Sequence, residues 1–262
     1  MNGAFDISYL SLGYCFLLLL LPFILSLILK LELIKQSLIG VVRMTVQLAL
    51  IALFLQYIFQ LNNPFINVSW FFLMVLTATI TSIRKSNLRL RLLFFPAFLS
   101  LLIVSTAVLL FFNGVVLGLS DVFSAKYFIA VGGMILGNSL RGIIVAMNSF
   151  YSSIKRNEER YLYMLGAGAT LMEGILPYYR KSLSSALAPS IAAMATMGIV
   201  SLPGMMTGQL LGGSSPAVAV KYQIAIMIAI FTTVAMSVSI SILMTVKTAF
   251  DEQGILKKTL FR

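Results

Sequence analysis

Seven apolar runs of roughly 20 residues, divided by short polar joints, are the feature that most limits what this chain can fold into. Wound as a helix, such a run satisfies its own backbone hydrogen bonds and crosses about 30 Å of hydrocarbon. The runs fall at residues 8–30, 38–59, 66–84, 91–112, 125–149, 187–211 and 218–246. One soluble core in 262 residues has no use for seven of them. The expected fold is all-α: one transmembrane domain, residues 1–262, in the inner or plasma membrane, with the lipid bilayer as its surroundings.

The basic residues set the expected orientation. Lys30, Lys35 and Arg43 flank the first joint, and Arg84, Lys85, Arg89 and Arg91 the third. Lys155, Arg156, Arg160, Arg180 and Lys181 flank the fifth, and Lys247, Lys257, Lys258 and Arg262 mark the tail. The other joints hold only Lys126 and Lys221. Cytoplasmic loops retain Lys and Arg, so this alternation predicts the N-terminus outside and the C-terminus in the cytoplasm. Trp70, Phe71 and Phe72 follow an outer loop and fit an interfacial aromatic anchor.

Composition excludes several classes. The net charge of +11 sits in clusters at the ends of apolar runs, which is topology signalling and not a nucleic-acid surface. With no histidine, imidazole metal ligands and histidine acid–base chemistry are absent. The single Cys15 rules out an intrachain disulfide. No basic segment precedes the first run, so it is expected to stay as a helix and not act as a removable signal. No Gly-x-x-x-x-Gly-Lys-Ser/Thr loop occurs, so any ATP hydrolysis belongs to a partner, and this chain is not expected to be an enzyme.

Two segments carry more than a span requires. Residues 150–186 form the longest joint, charged at Glu158 and Glu159, small at Gly166 and Ala167, and apolar at Leu162, Leu165, Ile175 and Leu176 before Pro177. A cytoplasmic helical hairpin and a helix lying on the lipid both fit it. In the sixth run, Pro203 and Gly204 should kink or unwind the helix, either as a plain proline kink or as a broken helix of the kind that meets substrate in transporters. Gly204, Gly208 and Gly212, and likewise Gly133 and Gly137, form strips that suit close helix contact. Arg43 with Gln47, and Asn138 with Arg141, pair polar groups on helix faces, while Thr207, Gln209 and Gln223 add neutral ones. Met205 and Met206 lie in the broken run, where flexible packing and soft-metal binding are both open. Asp6, Asp121 and Glu173 fall outside the hydrocarbon, so no preformed metal site is expected.

The stretch Ser201-Leu-Pro-Gly-Met-Met-Thr-Gly-Gln-Leu-Leu-Gly-Gly213, followed by Ala219-Val-Lys-Tyr-Gln-Ile224, resembles the signature of the FetB-type seven-span ABC permease family. Gly133-Met-Ile-Leu-Gly-Asn-Ser139 and Val42-Arg-Met-Thr-Val-Gln-Leu48 are similar to that family too. The resemblance implies a permease that works as a homodimer with two separate soluble ABC ATPase subunits, which hold the ATP and Mg; this chain itself has no cofactor. It also implies that Glu158, Glu159, Leu165, Gly166, Ala167 and Pro177 couple to the ATPase, although Glu-Arg-Tyr stands where Glu-Ala is expected. Arg43, Gln47, Asn138, Arg141, Pro203, Gly204, Met205, Met206, Thr207, Gln209 and Gln223 then become candidates for the translocation path or gate. Family members are associated with iron export, and plant relatives with aluminium tolerance through sugar-nucleotide export. Iron or an iron complex is the expected cargo, and a sugar nucleotide or other anion the alternative. A seven-helix receptor or signalling protein is the competing class.

Overall fold

The computed structural model describes residues 6–261. Arg262, counted above with the basic tail, lies outside them. Among the described residues the regular elements are all helical: α1 (Tyr9–Leu17), α2 (Leu20–Ile28), α3 (Ile34–Leu61), α4 (Pro64–Lys85), α5 (Leu90–Phe111), α6 (Ala125–Arg156), α7 (Glu158–Gly166), α8 (Leu171–Thr196), α9 (Gly204–Leu211) and α10 (Pro216–Ala249). A π-helical turn, Phe112–Val116, extends α5.

Local chemistry explains most of the joints. The first apolar run breaks between α1 and α2 because Pro22 has no N–H to give and its ring crowds the carbonyl of Leu18. Leu18 and Leu19 donate instead to Cys15 and Phe16, three residues back. Asn62 ends α3 in the left-handed conformation and Asn63 caps α4, accepting from the Phe65 N–H at 2.9 Å with Pro64 at the first helical position. Three asparagines pin the turn before α6: the Asn62 side-chain oxygen accepts from Ala125 N, while Asn67 and Asn113 donate to the carbonyls of Phe123 and Val122. Prolines inside α5 and α8 are carried within continuous helices.

Among the described residues six helical segments are long and apolar enough to cross a membrane: α1–α2, α3, α4, α5 with its π turn, α6 and α10. The expected sixth span, 187–211, differs. Its helix begins sixteen residues earlier, at Leu171, stops at Thr196, and resumes as the short α9 only at Gly204. Arg180 and Lys181 therefore lie inside α8, not in a joint.

α4, α5, α6, α8 and α10 pack around one core that includes Val75, Leu101, Ile135, Val234 and Ile242. α10 runs through it with a row of buried hydroxyls, Thr233, Ser237, Ser241 and Thr245, three of which bond outward or back along the chain. α6 and α10 are parallel, since Gly142 faces Val234 and Val238 while Tyr151 donates to Thr245 Oγ1 at 2.8 Å further along both helices. α8, the break and α9 carry the chain back between them.

α1–α3 stand apart. α3 meets the bundle through its last turns, where Ile58 is buried against Ala125 and Ile129 and the Phe54 ring lies 4.3 Å from Trp70. The expected aromatic anchor is corrected here. Phe71 is buried in the core edge-on to Phe128, Trp70 packs tilted against Phe54, and Phe72 alone of the three is well exposed.

Helix length gives the molecule its most useful asymmetry. Ser86, at the end of α4, reaches the Ile144 carbonyl at 3.4 Å, so that turn marks the level where a span of 22 residues, about 33 Å, is complete. α6 continues twelve residues beyond Ile144 to Arg156, about 18 Å, and α10 keeps pace with it. The ends of α6 and α10, the start of α8, and all of α7 form a stalk beyond that level.

Candidate functional site: a membrane groove and the stalk

Where α6, α8 and α10 diverge they leave a groove of about 390 Å³, lined by Asn138, Arg141, Pro189, Ser190 and Met227 among others. Asn138 spends one amide proton on the Met134 carbonyl at 2.8 Å. Arg141 is exposed, one turn on the membrane side of Ile144. Pro189 opens the α8 wall because it cannot donate to the carbonyl four residues back, and Ser190 adds a hydroxyl beside it. The groove thus offers a cation, an amide and a hydroxyl with no carboxylate among its lining residues.

Arg43 and Gln47 are not brought to this groove. They sit on the exposed middle of α3, away from the turns through which that helix touches the bundle.

The break after α8 has a definite structure. Met197 is extended, Gly198 adopts φ +86°, and the Gly198 N–H bonds the Ser201 carbonyl at 2.9 Å. Pro203 is extended as the residue before α9, which Gly204 opens. The unwinding expected at Pro203 and Gly204 is present but starts six residues earlier, with Gly198 supplying a left-handed turn that other residues rarely adopt. Met205 packs on the core, Met206 is half-buried, and Thr207 Oγ1 bonds back to the Pro203 carbonyl at 3.1 Å. Gln223, buried on α10, donates to the Met197 sulfur at 3.6 Å. The side-chain oxygens of both Gln209 and Gln223 are buried with no partner. Of the expected glycine strips only Gly133 meets a neighbouring helix closely, its Cβ position lying 3.3 Å from Met74 Cε on α4, while Gly137, Gly204 and Gly208 have open space where a Cβ would go. The close approaches are at Gly132, against Phe71, and Gly142, against Val234.

At the stalk tip, α7 carries Glu158 and Glu159 in its first turn, where the helix dipole favours them. Leu165 packs against Gly174 and Gly254, whereas Gly166 and Ala167 are exposed. Pro177 lies inside α8, six residues past its start, and so is apart from the α7–α8 turn. Tyr161, 1% exposed, anchors α7 by donating its hydroxyl to the Gly254 carbonyl at 2.6 Å. Burial, with Asp251 and Tyr178 nearby, pushes the Tyr161 phenol up to about 12.

Two features here escaped sequence reasoning. Thr170 and Glu173 form a reciprocal capping box at the start of α8, and its Thr-x-x-Glu signal stands in the sequence. The Thr170 N–H and hydroxyl hold the Glu173 carboxyl below the usual carboxylate range. The second is a hook, residues 250–261. It turns at Asp251, whose carboxylate accepts from Ile255 N at 2.7 Å, and returns along the stalk until the Leu260 and Phe261 carbonyls accept from Arg89 N and Nε at 2.8 and 3.2 Å. Its signal was an Asp-Glu-Gln-Gly turn followed by apolar Ile255, Leu256, Leu260 and Phe261.

These elements define a multi-pass helical membrane protein whose longest helices project well past the end of α4 on one side. Residues 9–250 match the family described as "Uncharacterised protein family (UPF0014)", and the chain belongs to it. It is 29% identical over 242 residues to UPF0014 membrane protein YjkA of Bacillus subtilis (strain 168), covering 92% of this chain and 94% of that one. It is 26% identical over 251 residues to the "Probable iron export permease protein FetB" of Escherichia coli (strain K12), covering 95% and 94%. With the Arabidopsis thaliana "Protein ALUMINUM SENSITIVE 3" it shares 33% over 211 residues, covering 79% and 75%. No solved structure matches.

Proposed function

We propose that the chain is the membrane subunit of an ATP-driven exporter, acting as two copies with two soluble ATPase subunits that bind the ATP and Mg. The observation that carries this reading is the stalk. A helix lying on lipid would sit at the Ser86 level, but α7 follows an α6 that runs about 18 Å past it. Only a soluble partner reaches there. The basic joints put the stalk and C-terminus in the cytoplasm and the N-terminus outside, with α8, the break and α9 serving together as a seventh crossing. Glu158, Glu159, Gly166 and Ala167 then face the ATPase, and its closure moves α8 and, through the break, α9.

The cargo in this reading is iron or an iron complex, supported by the relative named as a probable iron export permease. One observation favours a second cargo: the groove holds Arg141 and no carboxylate, which suits an anion such as a metal complex or sugar nucleotide over a bare cation. Among the described residues no cluster of three His, Cys, Asp or Glu could hold a metal ion. The test is reconstitution with the ATPase subunit in sealed vesicles, following ATP-dependent movement of free iron, chelated iron and a sugar nucleotide. Movement of the chelate with loss in Arg141→Gln supports a metal-complex path, and movement of the sugar nucleotide supports the second cargo. Transport without any ATPase would sink the proposal in favour of a channel or secondary carrier, and cargo-triggered signalling without transport would favour a receptor.

A further inference from the structure

Resting on that reading, we propose that the docking surface for the soluble ATPase is composite, with the C-terminal hook forming half of it. Between α7 and the hook lies a cavity of about 330 Å³ lined by Ile154, Lys155, Glu158, Tyr161, Leu162 and residues of the hook. Its walls are apolar, from Leu162, Ile255 and Phe261, and Lys155 and Lys258 stand with Glu158 among its lining residues. Lys155 is exposed, and its ammonium lies over the Phe261 ring at 4.3 Å, which places the cation at the mouth of the socket.

The occupant is a large apolar side chain of the ATPase, flanked by a carboxylate. Depth argues against lipid, because Ile154 lies ten residues, about 15 Å, past the Ile144 level where the span ends. Size and polarity argue for one anchoring side chain in an apolar pocket with a charged rim, the usual construction of an interface hot spot. The excess of two lysines over one glutamate selects an acidic neighbour for that anchor.

The arrangement also has a mechanical side. One wall of the socket is the hook, whose last residues bond Arg89 at the start of α5, and the other is α7, which leads into α8. A wedge in this socket therefore bears directly on the hook and α5 as well as on α7 and α8, whereas a contact on the open face of α7 reaches α5 only through the Tyr161–Gly254 bond.

Ile255 and Leu162 are 41% and 38% exposed, so Ile255→Trp, which fills the socket, and Leu162→Glu, which charges it, leave the fold intact by size-exclusion profile in detergent. Gly166→Asp, on the open face of α7, is the parallel variant for the underlying function. Binding of the ATPase subunit to each purified variant is measured directly. The expected result is affinity reduced at least about 10-fold in both socket variants and in Gly166→Asp. Loss in Gly166→Asp with wild-type binding by both socket variants overturns the composite surface and leaves the exporter reading standing. Wild-type binding by all three, or no ATPase binding by the wild-type chain, overturns both. Loss of a co-purifying anionic lipid from the socket variants, with ATPase binding unchanged, gives the socket to lipid and overturns the inference.

Discussion

Replacing Gly142 with alanine sets two known quantities against each other. An alanine in a helix interior is favoured over glycine by about 0.5–1 kcal/mol. At Gly142, however, the new Cβ would stand 2.6 Å from Val234 Cγ1, closer than real Cβ contacts, and a β-branched valine has little χ1 freedom with which to retreat. Overpacking of that kind costs about 1–3 kcal/mol. Gly137, one turn and a residue earlier on the same helix, has open space where its Cβ would go and so keeps the propensity gain uncancelled. The comparison of Gly142→Ala with Gly137→Ala removes the propensity term and isolates the clash, predicting a gap of about 1–3 kcal/mol. At about 2–4 °C per kcal/mol for a chain of this size, the apparent Tm in detergent should differ by at least about 2 °C. Adding Val234→Ala to Gly142→Ala removes the opposing methyls, so the double variant should be more stable than the sum of the singles by about 0.5–3 kcal/mol. Equal Tm values for the two glycine variants, or strict additivity with Val234→Ala, would refute the close α6–α10 approach.

Tyr161→Phe strips the Gly254 carbonyl of its donor and should speed amide exchange across residues 250–261 while leaving α4–α6 protected. The Tyr161 phenol is raised to about 12, so the protonated form is the one folding prefers; the hook should hold below pH 10 and loosen between pH 10 and 12. Tyr161→Phe should lack that pH dependence. Pro203→Ala should leave the α8–α9 break in place, because Met197 and Gly198 have already left the helix, and spin-label distances between α8 and α9 should be unchanged; a shift to a continuous-helix spacing would disprove this. Gly198→Ala, by contrast, forces a side chain into φ +86° and should lower the apparent Tm by a few degrees.

What could be read from the residues alone follows the range of the interactions involved. Apolar length placed α3, α4, α5, α6 and α10 because each run is locally sufficient to form a span. It failed at α8, where Arg180 and Lys181 made a helix look like a joint. That half of α8 stands in the stalk, past the end of α4, and its place there depends on where α6 and α10 end. Asn138 and Arg141 were recognisable as a polar pair, but their groove needs Ser190 and Met227 from helices far along the chain. The pairing of Arg89 with residues 260 and 261 spans more than 170 positions and leaves no local trace. Phe71 looked interfacial from its neighbours in sequence and became core because Gly132 clears room for its ring.

In the exporter reading, the reach of α6 would make the Gly142 contact a fulcrum. From Ala125 to Gly142 the helix runs about 26 Å, and from Gly142 to Arg156 about 21 Å. A rigid rod pivoting there has nearly equal arms, so a tilt that moves the stalk tip by 2 Å swings the opposite end by about 2.5 Å the other way. In the exporter proposed above, a tilt of this rod would close one side of the membrane as it opened the other by a similar amount.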